Sequence, residues 1–269
     1  MGRLKRWLIT GVSGGLGLAI AQAALDRGDM VFGTVRSVAA RNRFEELAPG
    51  RSVAAILDLS DASVEIREVV ESAATALGNI DVLVNNAGYC LLGALEEISE
   101  AEVAHIMTVN FRAPLEIIRA ALPYLRDTCG RIINISSMAA LQGTTGLGLY
   151  CASKAALTSA TETLDAELRP FGIRATSVEA TALRTGFAGS GLTSAAGRLP
   201  QYSEMRAQRE TAFSLSNNNQ PNDPAEIAQH VLEHADSTNP PVHVALGIDA
   251  AVKAAAICQA RTEEYISQQ

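Results

Sequence analysis

Residues 6–27, RWLITGVSGGLGLAIAQAALDR, decide the fold class. The first five, RWLIT, read as a short buried strand, a glycine-rich turn follows, and a helix runs from about Gly15 to Arg27. That succession puts the unpaired N–H groups and favourable dipole of a helix N-terminus beside a turn whose glycines, at 11, 15 and 17, let a pyrophosphate approach the backbone. A glycine turn by itself is weak evidence, since glycines also serve simply to pack a helix close to a strand. Met30 to Val35 form a second strand ending at Arg36, and Ser52 to Asp58 a third. A helix follows from about Asp61 to Leu77, then DVLVNNAG (81–88), a fourth strand running into another glycine turn. Strands alternating with helices predict an α/β fold with a doubly wound parallel sheet.

A second stretch, RIINISSMAALQGTTGLGLYCASK (131–154), carries chemistry. It begins as a buried strand, breaks at Ser136 and Ser137, crosses a Gly/Thr loop and enters a helix bearing Tyr150 and Lys154. At i and i+4 these two side chains share a helix face about 6 Å apart. At an effective dielectric of ~20 an ammonium there favours a phenolate by ~3 kcal/mol, or ~2 pKa units off a phenol near ~10. That would suit Tyr150 to general acid/base work. Ser137, at the carboxyl end of the strand, lies where open parallel sheets place ligands and could hold a carbonyl oxygen. A YxxxK pattern alone is common by chance.

Four spaced motifs change its weight. TGVSGGLG (10–17), NNAG (85–88), NISS (134–137) and YCASK (150–154) together resemble the short-chain dehydrogenase/reductase family, over about residues 6–187. The TGxxxGxG spacing is similar to that of its single-domain branch. The resemblance implies a Rossmann fold with a seven-stranded parallel sheet in the order 3-2-1-4-5-6-7. It also implies an Asn110-Ser137-Tyr150-Lys154 tetrad performing reversible hydride transfer between a nicotinamide cofactor and a carbonyl or alcohol carbon. In that scheme Ser137 holds the carbonyl oxygen and Tyr150 supplies its proton. Lys154 lowers the tyrosine pKa and binds the nicotinamide ribose, and Asn110 orders a water in the proton relay. Cofactor contacts are implied for Gly11, Ser13, Gly15, Leu16 and Gly17 in the first turn, for Asp58 and Leu59 near the adenine, and for Asn86, Ala87 and Gly88. Tyr150, Lys154 and Thr185 complete the set, Thr185 at the carboxamide. One departure stands out: Ala180-Thr181 replaces a usual Pro-Gly pair, altering the turn beside the nicotinamide.

No carboxylate ends the second strand, where one would bind the ribose hydroxyls. Arg36 stands there instead, and no acid follows until Glu45. A planar guanidinium suits a 2′-phosphate, so NADP(H) is expected over NAD(H), with NAD(H) possible; Arg41 and Arg43 follow on the next helix. Tyr89, Cys90, Leu91, Met138, Leu141, Leu147 and Phe187 are expected to wall a medium-sized hydrophobic substrate. A cofactor-sensing binding protein without turnover, or a different reaction on the same scaffold, remains an alternative. Resemblance transfers substrate identity poorly.

The 269 residues, 48% hydrophobic, fit one domain. A net charge of -7 argues against nucleic-acid or anionic-membrane partners. The start, MGRLKRWLIT, leads directly into a strand and fits neither a leader nor a myristoylation signal. No apolar run approaches the ~18–20 residues of a membrane span, so a cytoplasmic location is the default. Most of the four cysteines, which are widely spaced, read as packing residues, and the histidines show no metal-ligand constellation. Between Ser99 and about Arg126 a long helical stretch is interrupted by Pro114 and Pro123. A helix from Leu149 to about Pro170 presents Ala155, Ala156 and Ala160; with the helix of Asn110 it is expected to build a homodimer, a tetramer being possible. IRATSVE (173–179) is the next strand. Residues 186–223, polar with a helix near 202–214, read as a functional lid or a disordered segment; the resemblance implies a lid over the substrate. A helix opened by Asp223-Pro224, a strand at 241–246 and a final amphipathic helix at 248–267 complete the chain.

Overall fold

The computed structural model describes residues 4–60 and 63–268. In chain order the first half contains β1 (Arg6–Ile9), α1 (Gly15–Asp26), β2 (Met30–Val35), α2 (Val38–Glu45), β3 (Ser52–Ile56), α3 (Ser63–Leu77), β4 (Val82–Asn85), β5 (Cys90–Leu92), α4 (Glu100–Met107) and α5 (Ala113–Thr128). The second half contains β6 (Arg131–Ile135), α6 (Gly148–Leu168), β7 (Arg174–Ala180), α7 (Phe187–Ser190), β8 (Leu192–Ser194), α8 (Ser203–Ser216), α9 (Pro224–Asp236), β9 (His243–Leu246) and α10 (Ala250–Ile266). Seven strands form one parallel sheet, β3-β2-β1-β4-β6-β7-β9, while β5 and β8 pair separately. Counted over the main sheet alone this is the expected order 3-2-1-4-5-6-7.

Register shows why the sheet is buried on both faces. Trp7 lies between Val31 and Val82, and Leu83 beside Ile132. Side chains alternate across a strand. Trp7 and Ile9 therefore join Val84 and Ile133 in a core with α1, α2 and α9, while Leu8, Leu83 and Ile132 join a second core with α3 and α5. Each fully buried Leu or Ile contributes ~1.5–3 kcal/mol. Strand order reverses between β1 and β4, so a crevice opens at the carboxyl ends of those strands.

The helical region around Asn110 differs from expectation. The interruption lies ahead of Pro114, as a π-helical turn at Thr108–Arg112, and Pro114 sits in the first turn of α5, where proline is tolerated. Pro123 lies inside α5, which continues to Thr128; burial of Ile117, Ile118, Ala121 and Leu125 offsets one lost helical bond. The final helix is mostly exposed, with only Ala250 buried, rather than laid amphipathically on the core. The start of the helix expected from Asp61 lies outside the described residues. Cys90 and Cys151 are buried, but Cys129 and Cys258 are exposed, so packing accounts for only two of the four.

Candidate active site

The glycine turn comes first because its geometry follows from β1. Gly11 and Gly15 adopt left-handed φ of 74° and 59°, which side chains disfavour. A Cβ on Gly17 would fall 2.4 Å from both the Gly11 carbonyl oxygen and Asn86 Nδ2. Gly17 thus lets α1 close on the turn from behind; unlike Gly11, Ser13, Gly15 and Leu16, it does not line the crevice. Gly14, at the start of α1, receives no side-chain cap, and the space where its Cβ would lie is open. The first-turn N–H groups are left for an anion, so the residues present fit a dinucleotide pyrophosphate. The second turn is bolted to the first. Thr10 Oγ1 accepts from the N–H groups of Asn86 and Ala87, both at 2.9 Å, and Asn86 Nδ2 donates to the Thr10 carbonyl at 2.8 Å.

A cavity of about 950 Å³ runs from this turn past Arg36, Asp58, Leu59 and residues 86–88 to Ser137, Tyr150 and Lys154. That volume is at the upper end for ligand pockets. Asp58 is held below the usual carboxylate range, first by hydrogen bonds from Ser60 and further by the positive charge of Arg36. Arg36 and Asp58 therefore share one end of the cavity. Arg41 and Arg43, on α2, do not line it. Thr185 does, its hydroxyl accepting from the Phe187 N–H at 3.3 Å.

At the other end, Lys154 is buried beneath Tyr150. Its Nζ donates to the Ile135 carbonyl at 2.8 Å and lies 6.0 Å from the Tyr150 ring centroid. Burial brings the Lys154 pKa down to about 8. Burial likewise pushes the Tyr150 phenol upward, with a hydrogen bond from Ser137 pulling the other way. The expected lowering of the Tyr150 pKa by Lys154 is therefore not realised in the protein alone. The spacing argument counted attraction between two charges and omitted the cost of removing both from water. Ser137 is extended at the end of β6, and its Oγ accepts from the Ala139 N–H at 3.1 Å.

Asn110 stands behind the cavity wall. Its Oδ1 accepts from the Tyr89 N–H at 3.0 Å, and its Nδ2 donates to the Tyr89 carbonyl at 2.9 Å and to Ser153 Oγ at 3.0 Å. The amide clamps the turn after β4 to α6. Between Asn110 and Lys154 lies Gly88, where a Cβ would stand 3.0 Å from Asn110 Oδ1 and 3.4 Å from Lys154 Nζ.

Of the expected substrate walls, Tyr89, Cys90, Leu91, Met138, Leu147 and Phe187 line the cavity; Leu141 does not. His105 and Phe213 line it without having been foreseen. His105 Nδ1 lies 2.6 Å from the Tyr89 hydroxyl, a pairing hinted at by nothing in the local spacing. Ala180-Thr181 is held by contacts that substitute for a rigid Pro-Gly. Asn222 Nδ2 donates to Thr181 Oγ1 at 2.9 Å and to the Ala182 carbonyl at 2.8 Å, while the Thr181 N–H reaches the Leu246 carbonyl at 3.0 Å. The 186–223 segment supplies Phe187, Thr193 and Phe213 to the cavity, and Phe187 tilts over Tyr150 at a centroid distance of 6.2 Å.

Comparison with known proteins points to the same fold and to a family. The short chain dehydrogenase family pattern matches residues 5–193. The oxidoreductase BOA17 of Botryotinia fuckeliana is 33% identical over 270 residues, covering 97% of this chain and 96% of its own length. The oxidoreductase claN of Passalora fulva is 43% identical over 187 residues, 69% of this chain and 85% of its own. The crystal structure of a short-chain dehydrogenase from Streptomyces avermitilis superposes with a TM-score of 0.90 at 34% identity, covering 99% of this chain and 97% of that one. Glycine turn, sheet order and these relatives together establish that the chain belongs to the short-chain dehydrogenase/reductase family of NAD(P)-dependent oxidoreductases.

Proposed function

We propose that the protein is an NADP(H)-dependent oxidoreductase that interconverts a carbonyl and a secondary alcohol on a medium-sized, mainly hydrophobic small molecule. The observation that carries this is the convergence of Ser137, Tyr150 and Lys154 on the same cavity as the uncapped N-terminus of α1. A bound nicotinamide supplies the hydride for reduction and takes it in oxidation. Ser137 orients the substrate oxygen by its hydroxyl. Tyr150, kept protonated by burial, gives that oxygen a proton in the reductive direction. Lys154 sits where its ammonium stabilises the phenolate left behind, and Asn110 fixes the turn carrying Gly88 and Tyr89 beside it. Apolar walls from Cys90, Leu91, Met138, Leu147 and Phe187 favour a hydrophobic substrate and exclude water from the reacting centre.

Arg36 is the basis for the NADP(H) preference, at the strand end where an acid would bind a 2′-hydroxyl and repel a phosphate. We further assign residues 186–223 to a substrate lid and a homodimer to the outer faces of α5 and α6, for which Ala155, Ala156 and Ala160 permit close packing. Light scattering at micromolar concentration checks the dimer; a monomer refutes it. The function itself is tested by NADPH oxidation with a panel of apolar ketones. Turnover that vanishes in Tyr150→Phe is expected, and turnover undiminished in that variant overturns the assignment.

A further inference from the structure

A second cleft, of about 500 Å³, opens beside the catalytic cavity between residues 138–144 and α10. Met138, Ala139, Thr181 and Ala182 line both spaces, so the two meet across a shared wall directly after Ser137. Past Met138 the second cleft therefore adjoins the cavity that holds Ser137 and Tyr150. Thr181 is fixed there by Asn222 and by Leu246, which makes the wall a built feature rather than a loose turn.

The far side of the cleft is a face of α10 formed by Lys253, Ala256 and Ile257. This helix is exposed along nearly its whole length, yet it is tied across the cleft at its far end, where Arg261 Nη2 donates to the Leu141 carbonyl at 2.6 Å. Among the described residues Lys253 carries the only formal charge in the lining, and the acids of α10, Glu263 and Glu264, do not contribute. In a protein of net charge -7, a cleft whose one charge is a cation disfavours a cationic tail and favours an anionic one.

We propose that this cleft is a distal substrate subsite, and that Lys253 recognises a carboxylate at the end of an apolar substrate whose ketone lies at Ser137 and Tyr150. The proposal rests on the oxidoreductase assignment above and narrows its substrate class to amphiphilic oxo acids and the corresponding hydroxy acids.

The test uses matched ketones of increasing chain length, each as the free ω-carboxylate and as its methyl ester, with NADPH oxidation followed for the wild type, Lys253→Glu and Lys253→Arg. Lys253 is exposed, so these substitutions are tolerated by the fold. For chains long enough to span the shared wall, the wild type is expected to prefer the carboxylate by about tenfold in kcat/KM, as one charged contact allows. Lys253→Glu reverses that preference through KM, and Lys253→Arg restores it. Ester turnover without a carboxylate preference, or a preference unmoved in Lys253→Glu, overturns the subsite while leaving the oxidoreductase assignment intact. Should neither form turn over, calorimetric titration of the carboxylates into NADPH-saturated protein separates the cases. Binding that weakens in Lys253→Glu supports the subsite against a failed reaction assignment, and absence of binding overturns it.

Discussion

Among the described residues Lys154 is a buried cation without a carboxylate opposite it, and its pKa of about 8 makes pH a probe of the site. The unfolded lysine titrates near ~10.4, so between these values the unfolded chain holds the extra proton and stability rises with pH. This contribution is fully adverse below about pH 8 and disappears as pH passes the unfolded value. Lys154→Met is therefore expected to be at least as stable as the wild type at pH 6 by urea denaturation, with a smaller rise toward pH 9; an unchanged slope contradicts the shift. Burial has the opposite consequence for Tyr150, holding it in the proton-donating form. General acids contribute about 10²–10⁴ in rate. Tyr150→Phe should lose at least a hundredfold in kcat for ketone reduction while NADPH affinity, measured by fluorescence titration, stays close to wild type. The pairing of Tyr150 and Lys154 was legible from their i,i+4 spacing. Their acidities were not, because desolvation depends on residues such as Cys90 and Phe187, brought to the site from distant parts of the chain.

Elements far apart in sequence hold the 186–223 segment in place. Glu97, in the connection from β5 to α4, accepts from the N–H groups of Ala94 at 3.1 Å and Leu199 at 2.9 Å and pairs with Arg206 of α8. Glu102 accepts from the Ala196 N–H at 2.8 Å, and the Tyr202 hydroxyl donates to Glu96 at 2.7 Å. These acids latch the segment that brings Phe187 and Phe213 over the cavity. Glu97→Gln is expected to loosen it, raising KM for ketone several-fold with a smaller change in kcat and a lower thermal midpoint; a proportional fall in kcat with KM unchanged would instead place Glu97 in the chemistry. That the 186–223 segment is a polar stretch was readable from composition. Its strand β8 was not, since Leu192–Ser194 has no alternation long enough to signal a strand and owes its existence to pairing with Cys90–Leu92. The π-helical turn at Asn110 was hidden for a related reason: the prolines were the visible breakers, while the break is set by the tie of Asn110 to Tyr89 and Ser153.

Across the whole molecule, strands alternating with helices pointed to a doubly wound parallel sheet, while its order came with the family resemblance, and that order places the glycine turn and YCASK on one crevice. Cofactor choice depends on this arrangement, because Arg36 leaves β2 at the same end of the cavity as Asp58. Arg36→Ala is expected to weaken NADPH binding about ten- to a hundredfold and NADH binding little, the worth of one charged hydrogen bond. Equal NADPH and NADH dissociation constants in the wild type would contradict that assignment. The course of α10 is the feature least available from sequence: a helix was expected, but its exposure and its tie to Leu141 depend on where β9 ends. The central claim concerns the crevice as a site of hydride transfer, and label transfer addresses it directly. NADPH deuterated at C4 on the transferring face, incubated with an apolar ketone and the wild-type protein, should yield an alcohol carrying deuterium at the carbinol carbon, with none formed by Tyr150→Phe. Cofactor binding with no labelled alcohol across the ketone panel, or label transfer undiminished in Tyr150→Phe, would contradict the account.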